Sequence, residues 1–258
     1  MKRTPIHTIP PLSAEESKAR GFDGLDFVYI SGDAYIDHPS FGTAIIARVL
    51  ESRGFSVGII AQPDWHSVDA FKRFGKPRLA FLVSAGNLDS MVDHYTAAKK
   101  RRSDDAYTPG GKAGSRPDRA VIVYSNRCRE AYPHVPVIIG GIEASLRRFA
   151  HYDYWDDRVR HSILYDAGAD LLLYGMGERS IVAVAEALDA GTPVQQIRDI
   201  PGTCFRVSNP TEVPDALPLP SFAEVSDDRR RYAEAFKIQF EEQDAIRGRR
   251  LIQAHEKG

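Results

Sequence analysis

Cysteine is nearly absent from this 258-residue chain, which has only Cys128 and Cys204. Two thiols so far apart, with no companion Cys/His pattern, exclude a disulfide framework and a cysteine zinc site. Long apolar runs are missing too. None approaches the roughly 20 residues that a membrane-spanning helix needs, so a membrane is not an expected partner. The first residues, Met1-Lys2-Arg3-Thr4-Pro5, carry a basic pair, but Pro10 and Pro11 follow without an apolar stretch. That is not the pattern of a signal peptide, and the expected location is the cytoplasm. An excess of either charge is also lacking. A formal net charge of −1 gives no global reason to expect nucleic acid as a partner.

What is present is the composition of a soluble globular protein, 43% hydrophobic and 27% charged. Residues 1–24 read as an irregular lead-in. Leu25-Asp26-Phe27-Val28-Tyr29-Ile30-Ser31 is then a short run rich in β-branched and aromatic residues, the pattern of a buried strand. Ala44, Ile45, Val49 and Leu50 recur at helical spacing after Pro39, until Gly54 stops them. Further strands are expected at 56–61, 79–84, 135–139 and 170–174, with a short helix near 67–74 and longer ones at 119–132 and 180–188. The alternation predicts an α/β domain over 25–208 with a doubly wound, mainly parallel, Rossmann-like sheet. Residues 195–207 read as a short strand region. The prolines at 210, 214, 218 and 220 suggest a linker over 209–225, and 226–258 has the periodicity of a helical extension.

The rhythm breaks between 96 and 119. Lys99, Lys100, Arg101, Arg102, Lys112, Arg116 and Arg119 stand there against Asp104, Asp105 and Asp118. So long an irregular stretch is either functional or mobile. It reads as a solvated excursion whose charge keeps it soluble, or as a loop that contacts phosphate or a partner.

In open α/β sheets, ligands bind beyond the carboxyl ends of the strands, and three loops rich in polar residues or glycine hold that position. In 32–42, Asp33, Asp37 and His38 are suited to orienting a polar ligand, holding a cation or moving protons; equally, they could satisfy turn amides. In 140–153, Gly140 and Gly141 permit close backbone approach, Glu143 accepts hydrogen bonds, and Arg147 and Arg148 suit a phosphate or carboxylate. His151 opens the aromatic and acidic run that follows. The alternative is tight packing by the glycines and arginines paired with neighbouring acids. In 175–179, Gly175, Gly177 and Glu178 mimic part of a dinucleotide fingerprint, but after a late strand and without its last small residue. A tight strand-to-helix turn whose amides face the crevice describes it better.

Two of these segments carry a resemblance. Gly32-Asp33-Ala34-Tyr35-Ile36-Asp37-His38-Pro39-Ser40-Phe41-Gly42 and Gly140-Gly141-Ile142-Glu143-Ala144-Ser145-Leu146-Arg147-Arg148 look like the opening domain of the YgiQ-like radical-SAM proteins. The likeness extends through Gly58-Ile59-Ile60-Ala61-Gln62-Pro63-Asp64-Trp65, Ser84-Ala85-Gly86-Asn87-Leu88-Asp89-Ser90-Met91, Asp104-Asp105-Ala106-Tyr107-Thr108-Pro109 and His151-Tyr152-Asp153-Tyr154-Trp155. It implies a Rossmann-like domain, similar to cobalamin-binding domains, ahead of a radical-SAM barrel. For the complete protein it also implies a [4Fe-4S] cluster and S-adenosylmethionine, with three cysteine thiolates holding the cluster. The chain reaches Gly258 without a CxxxCxxC motif, so neither cofactor is expected to bind here alone, and no metal ligand is assigned. The expected partner is the barrel in cis, acting on a small-molecule or macromolecular substrate. The family likeness makes cobalamin a candidate cofactor, but a DxHxxG site would place His two residues after Asp, whereas Asp37 and His38 are adjacent.

Overall fold

The computed structural model describes residues 9–244 and 247–255. The basic pair near the start, the rest of 1–8 and the last residues of the 226–258 segment lie outside the described residues.

A short helix α1 (Ala14–Ala19) leads into β1 (Phe27–Ser31), α2 (Gly42–Ser52), β2 (Val57–Ala61) and β3 (Ala80–Ser84). Then come α3 (Ser90–His94), α4 (Ala120–Ala131), β4 (Val137–Ile139) and α5 (Gly141–Leu146). A hairpin of β5 (His151–Asp153) and β6 (Arg158–Arg160) follows, then α6 (Ile163–Asp166), β7 (Leu171–Leu173), α7 (Glu178–Asp189) and β8 (Thr203–Cys204). The expected helix near 67–74 is only a 3-10 turn at Asp69–Lys72.

Six strands form one sheet in the order β2-β1-β3-β4-β7-β8. The first five are parallel, and β8 is an antiparallel edge on β7. Successive side chains of a strand point to opposite faces, and both faces are buried. Val28 and Ile30 share one core with Phe81, Val83, Val137, Ile139, Leu172 and residues of α4 and α6. Phe27 and Tyr29 join the other, with Leu82, Ile138, Leu171 and residues of α2 and α7. The fold is thus the doubly wound α/β sheet that the alternation predicts. Its order reverses between β1 and β3, so the carboxyl ends of these two strands define the switch point where such sheets place ligands.

The proline-rich stretch is not a spacer throughout. Leu217–Leu219 forms β9, which pairs in parallel with β10 (Leu251–Gln253). Between them lie α8 (Phe222–Asp227) and α9 (Arg229–Glu241). Ser221 and Glu224 form a reciprocal capping box at the start of α8. Val225 and Ala235 of this hairpin bury against Ala150, with Val159 and Tyr232 alongside. The segment after 208 therefore rests on the β5–β6 side of the domain.

Candidate functional site

The switch point is built around a charge supplied by the irregular loop. Arg116 is 1% exposed. Its Nη2 lies 2.9 Å from both carboxylate oxygens of Asp105, and its Nη1 lies 3.0 Å from Asp33 Oδ1 and from the carbonyl of Ala85. Asp93 Oδ2 stands 3.4 Å from Nη2. Further donors satisfy Asp105 and one oxygen of Asp33, while Asp33 Oδ1 and Asp93 Oδ2 are buried with the charge of Arg116 beside them. Asp33 accepts the Asn87 N–H at 2.7 Å. Asp105 accepts the Tyr107 N–H at 2.8 Å and the Thr108 hydroxyl at 3.0 Å, while Gln62 donates to that hydroxyl. The stretch 96–119 is therefore no purely solvated excursion. Its exposed half carries Lys99 to Arg102, and its other half folds back to close the floor.

The two best-held acids respond oppositely. Burial pushes Asp33 up to about 6, against the pull of the Asn87 N–H and of Arg116. Burial also works against the charge on Asp105, but the Tyr107 N–H, Arg116 and Thr108 together hold its carboxyl below the usual range. The difference follows from geometry, since Asp105 takes the forked face of the guanidinium and Asp33 only one nitrogen.

Backbone spacing at the floor is close. An added Cβ on Gly32 would stand 2.1 Å from the Ala85 carbonyl oxygen, and one on Gly86 would stand 1.9 Å from Asp33 Oδ1. Gly86 also sits at φ +109°, a region glycine alone adopts readily. The glycines beside the crevice thus make room for the chain's own groups.

Of the first loop's candidates, only Asp33 enters this floor. Asp37 is exposed and paired with Arg48, whose hydrogen bonds hold its carboxyl below the usual range. His38 is exposed as well, and its Nδ1 accepts the Ser40 N–H at 3.1 Å.

In the second loop, Glu143 is 1% exposed and works as a staple. Its Oε2 accepts the Ser90 N–H at 2.8 Å and its Oε1 the Val121 N–H at 2.9 Å, so it serves the first turns of α3 and α4 together. Burial, with Asp89 adding, raises its carboxyl above the ordinary range. Arg147 is buried beside it, paired with Asp89, which also caps α3. Arg148 donates to the Ser145 carbonyl and lies over the Tyr174 ring, joining the second loop to the third. His151 is half-buried against the Phe149 carbonyl. Burial, and then Arg147, lower its pKa to about 4, so it is neutral at pH 7. Gly141 takes φ +83° as α5 begins.

In the third loop, Gly175 has φ +70° and Gly177 caps α7, with Glu178 opening its first turn. The Gly175 N–H reaches Ser145 Oγ at 3.4 Å.

The loop after β3 is a fourth wall that the loop-by-loop reading omits, although Ser84-Ala85-Gly86-Asn87 follows an apolar run exactly as the others do. Asn87 accepts the Gly42 N–H and donates to the Ser40 carbonyl, which ties this wall to the first loop. Outward from these walls point Ile36, Ile142, Leu146, Tyr174 and Met176, all exposed, with Leu146 at 65% and Met176 at 85%. Hollows of about 90 and 220 Å³ lie at the amino ends of the strands, beside Leu25 and Phe74 and beside Pro136 and Asp170. Among the described residues no group of three or more His, Cys, Asp or Glu side chains is placed to hold a metal ion. No helix there is long and apolar enough to cross a membrane.

Residues 10–258 match the family described as Radical SAM N-terminal. A UPF0313 protein of Clostridium botulinum (strain ATCC 19397 / Type A) is 59% identical over 245 residues, covering 95% of this chain and 38% of the relative. A UPF0313 protein of Clostridium perfringens (strain ATCC 13124) is 60% identical over 246 residues, covering 95% of this chain and 37% of the relative. The chain thus spans well under half the length of these curated relatives. Among solved structures, TsrM, a radical S-adenosylmethionine methyltransferase from Kitasatospora setae, is similar at TM-score 0.46 and 19% identity, over 70% of this chain and 27% of that one.

Proposed function

This chain belongs to the radical SAM N-terminal family, and on that premise we propose that it forms the opening domain of a radical-SAM iron–sulfur enzyme and shapes the substrate crevice against the barrel. The observation that carries this reading is the exposed apolar rim of Ile36, Ile142, Leu146, Tyr174 and Met176 above a floor closed by Arg116. Large apolar side chains left exposed at the mouth of a polar crevice mark an interaction site.

In this reading the barrel supplies the [4Fe-4S] cluster, and the cluster with S-adenosylmethionine supplies the radical chemistry. Neither cysteine of this chain serves as a cluster ligand: Cys128 is fully buried, and burial raises both thiols, disfavouring the thiolate that binds iron. The chain's own residues supply shape. Arg116, Asp105 and Asp33 fix the floor, Glu143 and Asp89 fix the second and fourth walls, and the apolar rim meets the barrel. Cobalamin has no part in this reading, because the residues do not fit it. Asp33 and the Ala85 carbonyl fill the space beside Gly86 and Gly32, and His38 faces outward with its Nδ1 engaged by Ser40.

The test compares amide hydrogen exchange in this chain alone with that in a full-length relative. Exchange at 142–147 and 174–177 is expected to slow markedly in the full-length protein. Equal exchange in both forms would overturn the reading.

A further inference from the structure

The exposed half of the 96–119 loop carries Lys99, Lys100, Arg101 and Arg102, all solvent-exposed. The chain otherwise pairs its cations freely: Arg48, Arg78, Arg119 and Arg160 each meet two acids or more. These four do not. Among the described residues none of the four forms an ion pair at contact distance; Lys99 reaches the Trp155 carbonyl and Arg102 that of Val92, while the charge of Arg101 acts on nearby Asp118. The turn that presents them is well fixed. Thr96 and Lys100 are joined by a backbone hydrogen bond, Tyr95 bridges Arg101, and the Arg102 N–H reaches the His94 carbonyl.

Beside this turn stand two exposed tyrosines. Tyr152 and Tyr154, on and just after β5, are 47% and 44% exposed. Lys99 Nζ lies 4.7 Å from the centre of the Tyr154 ring, and the Tyr154 hydroxyl donates to the Ala97 carbonyl. On the far side, the Tyr152 N–H donates to the Tyr232 hydroxyl at 3.0 Å, which sets the start of α9 and its exposed Arg229 against this strand. Two of the nearby acids are committed elsewhere, and the third meets the stripe itself. Asp118 holds His94 and Tyr95, Asp156 holds Arg119 and Arg160, and Asp157 accepts the Tyr152 hydroxyl. The result is a stripe of cations, two tyrosines and a further cation, with the exposed Asp157 hydrogen-bonded to one of the rings.

We propose that this stripe binds single-stranded RNA or DNA, with Lys99, Lys100, Arg101, Arg102 and Arg229 on the phosphates and Tyr152 and Tyr154 under the bases. Cations alone would suit any polyanion, but aromatic faces set between them are what single-stranded nucleic acid uses. The net charge of −1 does not oppose this, since counterion release depends on the local cations. The proposal is independent of the crevice and of the barrel.

The experiment titrates this chain into a fluorescein-labelled uridine dodecamer and reads anisotropy. Binding is expected at low salt, weakening with a log–log salt slope of about −3. Reversing Lys100 and Arg102 to glutamate is expected to weaken it about ten-fold or more. Tyr154→Ala is expected to cost about five-fold or more, whereas Tyr154→Phe, which keeps the ring, should bind as the parent does. Circular dichroism of each variant separates loss of binding from loss of fold. No binding at low salt, or binding untouched by the charge reversal, would overturn the proposal. So would equal affinity for a duplex or a polyglutamate chain, since either would mean a general anion surface.

Discussion

Arg116 Nη1 and Asp33 Oδ1 lie 3.0 Å apart, joining the closing part of a glycine-rich, charged loop to the end of the first strand. Both side chains are almost wholly removed from solvent. The contact makes the loop part of the sheet's carboxyl edge.

Arg116→Met should therefore destabilise the chain by about 3–5 kcal/mol, because it leaves buried carboxylates without their counter-charge. Urea denaturation would measure this as a lower midpoint. Arg116→Lys should recover only part of the loss, since an ammonium cannot match the forked contact with Asp105.

The same cluster gives a pH signature. Asp33 titrates near 6 in the folded chain and near about 3.9 when unfolded. The folded state therefore keeps its proton to higher pH. Below about pH 4 Asp33 is neutral in both states, and as pH rises through about 6 its ionisation becomes a cost to folding. Two units of difference correspond to about 3 kcal/mol. Asp33→Asn removes that cost. The stability of the variant minus that of the parent should rise by up to about 3 kcal/mol between pH 4 and 7. Urea denaturation at both pH values checks it; a flat difference would mean that Asp33 ionises normally.

Gly86→Ala should be severe and Gly110→Ala mild. At Gly86 the new methyl meets the Asp33 carboxylate and φ is +109°, while at Gly110 nothing lies within 4 Å and only the φ of +69° opposes it. The second change should cost about 1 kcal/mol. The first should lower the thermal midpoint by several times as much, and similar midpoints would refute the steric argument.

Glu143→Gln should cost about 1–3 kcal/mol, because one of its two oxygens is replaced by an amide NH2, a donor facing a backbone N–H donor. Hydrogen exchange should quicken at the amides of Ser90 and Val121, which Glu143 holds. A role confined to ligand binding would leave those two amides unchanged.

The sheet was legible because its strands are short apolar runs buried on both faces, such as Phe27–Ser31 and Ala80–Ser84. The three loops were legible for the same reason, since each follows such a run. The floor was not. Arg116 and Asp105 stand in a stretch whose charge and glycine content read as solvated, and their partners at 33 and 93 meet them only in the folded chain. Glu143 was visible as a carboxylate in the right loop, but its two N–H donors begin helices far from it in sequence. The β9–β10 pair was hidden because Pro218 argues against a strand interior, and the pairing partner of Leu217–Leu219 lies beyond two intervening helices.

Along α5 the side chains divide by direction. Glu143 and Ala144 go inward to the helix starts and the core, while Ile142 and Leu146 stand in solvent. The polar bonds that set the course of this loop do not involve its outward residues. Its outer face is thus free to be rewritten, by selection or by an engineer, without redrawing the backbone beneath. A domain made this way can be re-addressed to a different neighbour one side chain at a time, keeping its architecture while changing what it fits.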